Sequence, residues 1–108
     1  MPQYIFIYLG GHNPDNPEDG KKHFEKYQQW LSALGDAVVS PAIPFMDTHT
    51  VHPNGAAEQG TTTLMSGMSI LKFASMDAAI EAAKSCPFLE INGTLEVSEM
   101  IEMSPATK

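Results

Sequence analysis

A single cysteine, Cys86, rules out an internal disulfide, which fits the reducing cytoplasm in which the chain is expected to reside. Basic residues are scarce as well. Six Lys and Arg stand against 13 Asp and Glu, for a net charge of −7. That balance excludes a nucleic-acid partner, whose phosphates require a basic face. The few cations form no polybasic run suited to an anionic membrane surface. No stretch of about 18 apolar residues is present, so no membrane-spanning helix is expected. The opening Met1-Pro2-Gln3-Tyr4 lacks the basic start and apolar run of a signal peptide. Asn92-Gly93-Thr94 is therefore read as a chance match to a glycosylation sequon. Gly10-Gly11 is followed neither by G-x-G-x-x-G spacing nor by a Walker lysine, which excludes a phosphate-cradling loop. No cofactor motif remains, and no cofactor is expected.

What is present suffices for one domain. The chain has 108 residues, 43% of them hydrophobic, an ordinary composition for a single globular core. A single α+β domain is expected over residues 1–103, with a frayed tail at 104–108. Tyr4 to Leu9 is β-branched and aromatic without a charge, a strong strand signal. Its two parities are both apolar: Tyr4, Phe6 and Tyr8 on one, Ile5, Ile7 and Leu9 on the other. Such a strand is buried on both sides. Asn16-Pro17-Glu18-Asp19 then opens a helix, with a capping amide, a proline suited to the first turn and two acids at the positive end of the dipole. The helix is expected to run to Leu34 and to stop at Gly35. His23, Phe24, Tyr27, Trp30, Leu31 and Leu34 share one arc of it.

Ala37-Val38-Val39 begins a second strand, which Pro41 and Pro44 confine to a sheet edge. Residues 47–65 are poor in apolar side chains and read as a long loop with a short strand near Thr48–Val51. Such a loop is often functional. Gly67 to Phe73 is a third strand. Ser75 caps a second helix that Pro87 ends. Asn92-Gly93 turns the chain into a last strand, in which Leu95 and Val97 point inward and Glu96 and Ser98 outward. The order is β-α-β-β-α-β, which the right-handed crossover rule folds into a ferredoxin-like α+β sandwich with the first and third strands central. Two helices cover one sheet face only. The second apolar face needs another cover, and a homodimer through that open face is expected, since a twofold contact is self-complementary. The alternative is that the loop 47–65 folds over it.

The chain also resembles the YCII-related (DGPF-type) domain family. Tyr27-x-x-Trp30-x-x-x-Leu34-Gly35, Pro41-Ala-Ile-Pro44-Phe45, Gly67-Met-Ser-Ile70, Ala74-Ser-Met-Asp77-Ala78, Cys86-Pro87 and Gly93-Thr-Leu-Glu96-Val97 carry the resemblance in order along most of the chain. It implies a dimeric α/β barrel. One departure stands out: where members have Asp-Gly-Pro-Phe before the third strand, this chain has Asn54-Gly55-Ala56-Ala57. The family and its superfamily include lyases, isomerases and dehalogenases acting on small molecules, beside many proteins without an assigned activity. Some members resemble an enzyme with a His on the first helix and an Asp after the second strand, which corresponds here to His23 and Asp47.

His23 and Asp47 are accordingly the leading catalytic pair, an imidazole for proton transfer and a carboxylate to fix its tautomer. The bland alternative is a half-buried histidine beside a turn aspartate. Asp47-x-His49-x-x-His52 gathers metal-ligand types at a spacing of no known signature, so solvated loop histidines are favoured over a metal site. His12, His49, His52, Trp30 and Tyr8 are further candidates for a ligand cleft, with core packing the competing role for the two aromatics. Cys86 lies at the wrong helix pole for a reactive thiolate and is read as packing. Two functions remain open: a cofactor-free enzyme doing acid–base chemistry on a small molecule, and a non-catalytic dimer that binds a metabolite.

Overall fold

The computed structural model describes residues 1–11 and 16–101. His12 and the tail 104–108 lie outside the described residues. Along the chain come β1 (Gln3–Gly10), α1 (Pro17–Leu34), β2 (Val38–Pro44), β3 (His49–Val51), β4 (Ala57–Gln59), β5 (Met65–Lys72), α2 (Met76–Lys84) and β6 (Gly93–Glu99). The four longer strands form one sheet in the order β2-β5-β1-β6, with every neighbouring pair antiparallel. β1 and β5 are central, as expected. The fold is α+β, and its strand order is compatible with the ferredoxin-like arrangement.

Both helix starts follow from local chemistry. The Asn16 side-chain oxygen accepts from the Asp19 backbone N–H at 2.8 Å, which satisfies one of the donors that a helix start leaves over. Gly35 closes α1 at φ 54°, its N–H returned to the Leu31 carbonyl. Ser75 Oγ accepts from the Ala78 N–H at 3.2 Å and opens α2. Pro87 does not simply end the chain's helical path. It starts a short 3-10 turn, Pro87–Ile91, that delivers Asn92 in the left-handed region at φ 61° before β6.

Strand parity places the core. Tyr4, Phe6 and Tyr8 point at the helices together with Ser69 and Leu71 of β5, and Trp30, Ala79, Ala83 and Cys86 close over them. Phe6 is fully buried, its ring near those of Trp30 and Phe73. Burying each such side chain stabilises the fold by about 1.5–3 kcal/mol. Leu95 and Val97 pack against the same core while Glu96 and Ser98 are exposed, as the alternation of β6 requires.

The opposite parity is not fully buried by any element among the described residues. Ile5 pairs with Ile70 and Ile7 with Met68 across the sheet, and directly opposed side chains share a face. These residues are only half-buried, and Ile43 on β2 is 46% exposed. The molecule is accordingly thin, 49 × 38 × 19 Å, the thickness of one helix layer on one sheet. Residues 47–65 are not a cover of the kind a loop laid on the sheet would give, since neither of their strands makes an extended contact with β1 or β5. They form a β3–β4 hairpin in which His49 opposes Gln59 and Val51 opposes Ala57. Val51 is itself 70% exposed. The radius of gyration is 15.8 Å, against about 13 Å for a compact domain of this length. No helix among the described residues is long and apolar enough to cross a membrane.

Candidate functional site

An apolar cleft of about 340 Å³ opens between α1 and the end of the sheet, lined by Tyr8, His23, Phe24, Tyr27, Pro44 and Phe88 among others. Three local features shape it. First, β1 and β5 slip register between Tyr8 and Leu9, a bulge of the kind found beside active sites. Ser66, at that slip, donates its hydroxyl to the Tyr8 carbonyl at 3.2 Å. Second, Gly67 lies under the Tyr8 ring, and a Cβ there would meet the Ile43 carbonyl oxygen at 2.9 Å and the Tyr8 ring at 3.2 Å. Glycine is what lets the phenol lie flat on the strand. Third, His23 and Tyr27 are one helical turn apart on α1 and face the same way, their rings 6.5 Å apart between centroids.

The polar chemistry of the cleft is a line of three hydroxyls. Tyr8 Oη bonds Ser69 Oγ at 2.7 Å on the buried side and Tyr27 Oη on the cleft side. Burial pushes the Tyr8 phenol well above its ordinary range, against the opposing pull of the Ser69 hydrogen bond, with Cys86 adding a smaller rise. Tyr8 is thus a neutral hydrogen-bonding group and not a base. His23 is half-buried and is the one imidazole or carboxylate residue among the described residues of the lining, which include no Lys or Arg. Phe24, placed by its helical arc on the apolar side of α1, is 60% exposed at the rim.

Asp47 is not in this cleft. It stands at the base of the hairpin with φ 56°, and its carboxylate lies 3.0 Å from His49 Nε2. No hydrogen bond or ion pair joins it to His23 among the described residues, so the expected pairing is not formed. His52 is taken by Glu58 at 2.9 Å, and both histidine pairs are exposed contacts whose residues are not part of the lining. Among the described residues no group of three or more His, Cys, Asp or Glu side chains is disposed to hold a metal. Trp30 belongs to the core, with Nε1 donating to the Ala82 carbonyl at 3.1 Å. It supports the cleft only through its edge-on contact with Tyr27. The loop 47–65 supplies none of the lining; its flanks, Pro44 and Ser66, do.

Burial pushes the Cys86 thiol up to about 11, only partly offset by the hydrogen bond from the Phe88 backbone, consistent with a packing role. A second apolar depression, about 450 Å³, lies between α2 and β6 with Lys84 at its margin. It holds no acid–base group suited to neutral pH, which is why the site is placed at His23.

Reading the sequence for chemistry singled out Tyr8 and His23 but not Tyr27, Ser69 or Phe88. Tyr27 carries a signal, its i+4 spacing from His23. Ser69 carries one too, as the polar residue at an inward position between Gly67 and Leu71. No protein-family model matches the chain, and no curated protein matches it either.

Proposed function

We propose that the chain is a cofactor-free enzyme that transfers a proton on a small, largely apolar organic molecule held in the α1 cleft, with His23 as the acid–base group. The observation that carries this reading is the placement of the His23 imidazole among aromatic walls beside a neutral hydroxyl line. Imidazole exchanges protons near neutral pH, and a positioned acid–base group contributes about 10²–10⁴-fold to rate. Asp47 has no part in this reading, because His49 occupies its carboxylate. The working unit is a homodimer closed through the open sheet face. Ile5, Ile7, Leu9, Met68 and Ile70 each have about 1 kcal/mol of burial still to gain. Summed over two copies this is about 10 kcal/mol, comparable to the cost of association. The resemblance to YCII-related proteins, with their dimeric α/β barrels, belongs to the same proposal.

One observation favours a second reading, a non-catalytic binding or regulatory dimer: among the described residues no carboxylate is bonded to His23. Metabolite capture by the purified protein, followed by mass spectrometry, supplies the compound for the test. Wild type and His23→Gln are then compared for turnover and affinity. Loss of turnover with retained affinity supports the enzyme. Equal behaviour of the two proteins, with the compound unchanged by both, sinks it in favour of the binder.

A further inference from the structure

The three hydroxyls Ser69, Tyr8 and Tyr27 share two hydrogen bonds and own three hydrogens, so one hydrogen points elsewhere. If Tyr27 donates inward, the spare hydrogen falls on Ser69 or Tyr8. Ser69 is fully buried and Tyr8 nearly so. No other acceptor meets either hydroxyl among the described residues. A buried donor without a partner carries the full desolvation penalty of that group, and buried polar atoms are almost always paired. The alternative order has no such defect: Ser69 donates to Tyr8, Tyr8 donates to Tyr27, and the spare hydrogen lies on Tyr27, which lines the cleft. The bonding of the core therefore polarises the line outward. Ser66 makes no hydrogen bond to these hydroxyls; its own hydrogen is directed at the Tyr8 and Gly10 carbonyls.

The remaining lining defines the rest of the ligand. Phe24, Phe88 and the Tyr27 ring offer aromatic surface, and Ala42 and Pro44 are apolar. No Lys or Arg lies among the described lining residues, so where the His23 imidazole is neutral nothing there offsets a carboxylate or phosphate, and an unpaired charge is costly to desolvate. A cavity of about 150 Å³ takes one benzene ring, so the 340 Å³ here suits about two rings. We infer that the cleft binds an uncharged aromatic compound of one or two fused rings bearing a carbonyl oxygen, which accepts the outward-pointing hydrogen of Tyr27. This rests on the proposed site but not on His23 being catalytic. Tyr27 is the anchor that sets which end of the molecule faces the imidazole.

The test uses three probes of similar shape: acetylnaphthalene, ethylnaphthalene and naphthoate, titrated into the full chain by calorimetry, with the ketone carbonyl band followed by infrared difference spectroscopy. Wild type should bind the ketone about fivefold more tightly than the hydrocarbon, the effect of one neutral hydrogen bond, and shift its carbonyl band to lower frequency. Naphthoate, titrated at mildly alkaline pH where an imidazole is neutral, should bind at least tenfold more weakly than the ketone. Tyr27→Phe should erase the preference for the ketone and return the band to its unbonded position. His23→Gln should keep both, so a failure of the acid–base proposal is distinguishable from a failure of this one. The inference is overturned if none of the probes binds, if naphthoate binds as well as the ketone, or if Tyr27→Phe leaves affinity and band unchanged. Should Tyr27→Phe not fold, wild type decides alone: a ketone held no tighter than ethylnaphthalene, or with an unshifted band, overturns it.

Discussion

Removing one oxygen atom, in Tyr8→Phe, probes the hydroxyl line directly. Two contacts disappear together, the 2.7 Å bond to Ser69 Oγ and the bond to Tyr27 Oη. The two losses are unequal. Tyr27 is half-buried at the cleft and can turn to water, so its share is the ordinary net worth of a hydrogen bond, about 1 kcal/mol. Ser69 is 0% exposed and cannot reach solvent, which adds about 1–3 kcal/mol for an orphaned polar group. The substitution should therefore destabilise by about 2–4 kcal/mol. Ser69→Ala leaves Tyr8 bonded to Tyr27 and should cost only about 1 kcal/mol. In the double variant the orphan no longer exists, so the combined loss should fall below the sum of the singles by about 1–2 kcal/mol, as expected for residues in one network. Urea unfolding followed by far-ultraviolet circular dichroism at one fixed protein concentration reads all four corners of the cycle, and the fixed concentration keeps any subunit equilibrium from entering the comparison. Strict additivity, or a Tyr8→Phe loss below about 0.5 kcal/mol, would refute the hydroxyl line as described.

Three further outcomes follow from other parts of the molecule. Ile7→Glu puts a charge in the middle of the uncovered sheet face, next to Met68 and Glu96 across the strands; sedimentation should show wild type as a dimer and the variant as a folded single subunit, and a wild type already single at micromolar levels would dismiss the dimer. Gly67→Ala drives a Cβ to 2.9 Å from the Ile43 carbonyl oxygen, so a loss of about 1–3 kcal/mol and weaker binding of acetylnaphthalene are expected, whereas an unchanged unfolding midpoint would count against the close strand approach. Cys86 bears on alkaline stability: its thiol titrates at about 11 in the fold against an ordinary 9.0, so between these values the unfolded chain loses its proton first and stability falls as pH rises. Tyr8 adds a loss of the same sign above its ordinary 10.0. Cys86→Ala should flatten the lower part of that decline, and an identical pH profile for both proteins would show that the thiol is not shielded.

Local chemistry made much of the fold legible. A side-chain amide such as that of Asn16 before Pro17, whose carbonyl oxygen accepts from the Asp19 N–H, names a helix start wherever the chain goes next, because the bond it makes lies within four residues. Gly35 and the Asn92-Gly93 turn are readable for the same reason, since left-handed backbone is a property of the residue itself. The apolar residues of β1 announced a strand with Tyr4, Phe6 and Tyr8 in the core, and the four-stranded order with β1 and β5 central follows from handedness and connection rules. His23 could be put on the apolar side of α1 because helical periodicity needs no partner to define it.

What three-dimensional packing alone decided is who meets whom. Asp47 and His23 looked like partners at a distance along the chain, yet a hairpin closes between Pro44 and Ser66, and the nearer His49 takes the carboxylate. Ser69 and Tyr8 are 61 positions apart and touch only through the antiparallel register of β1 and β5. Tyr27 reaches the same line from a helix laid across that sheet. Spacing in sequence carries periodicity, and periodicity tells which side a residue faces. The register between elements is fixed by summed packing over the whole core, so the contact between particular side chains, and with it the chemistry of the cleft, exists only once the sheet and helix have closed on each other.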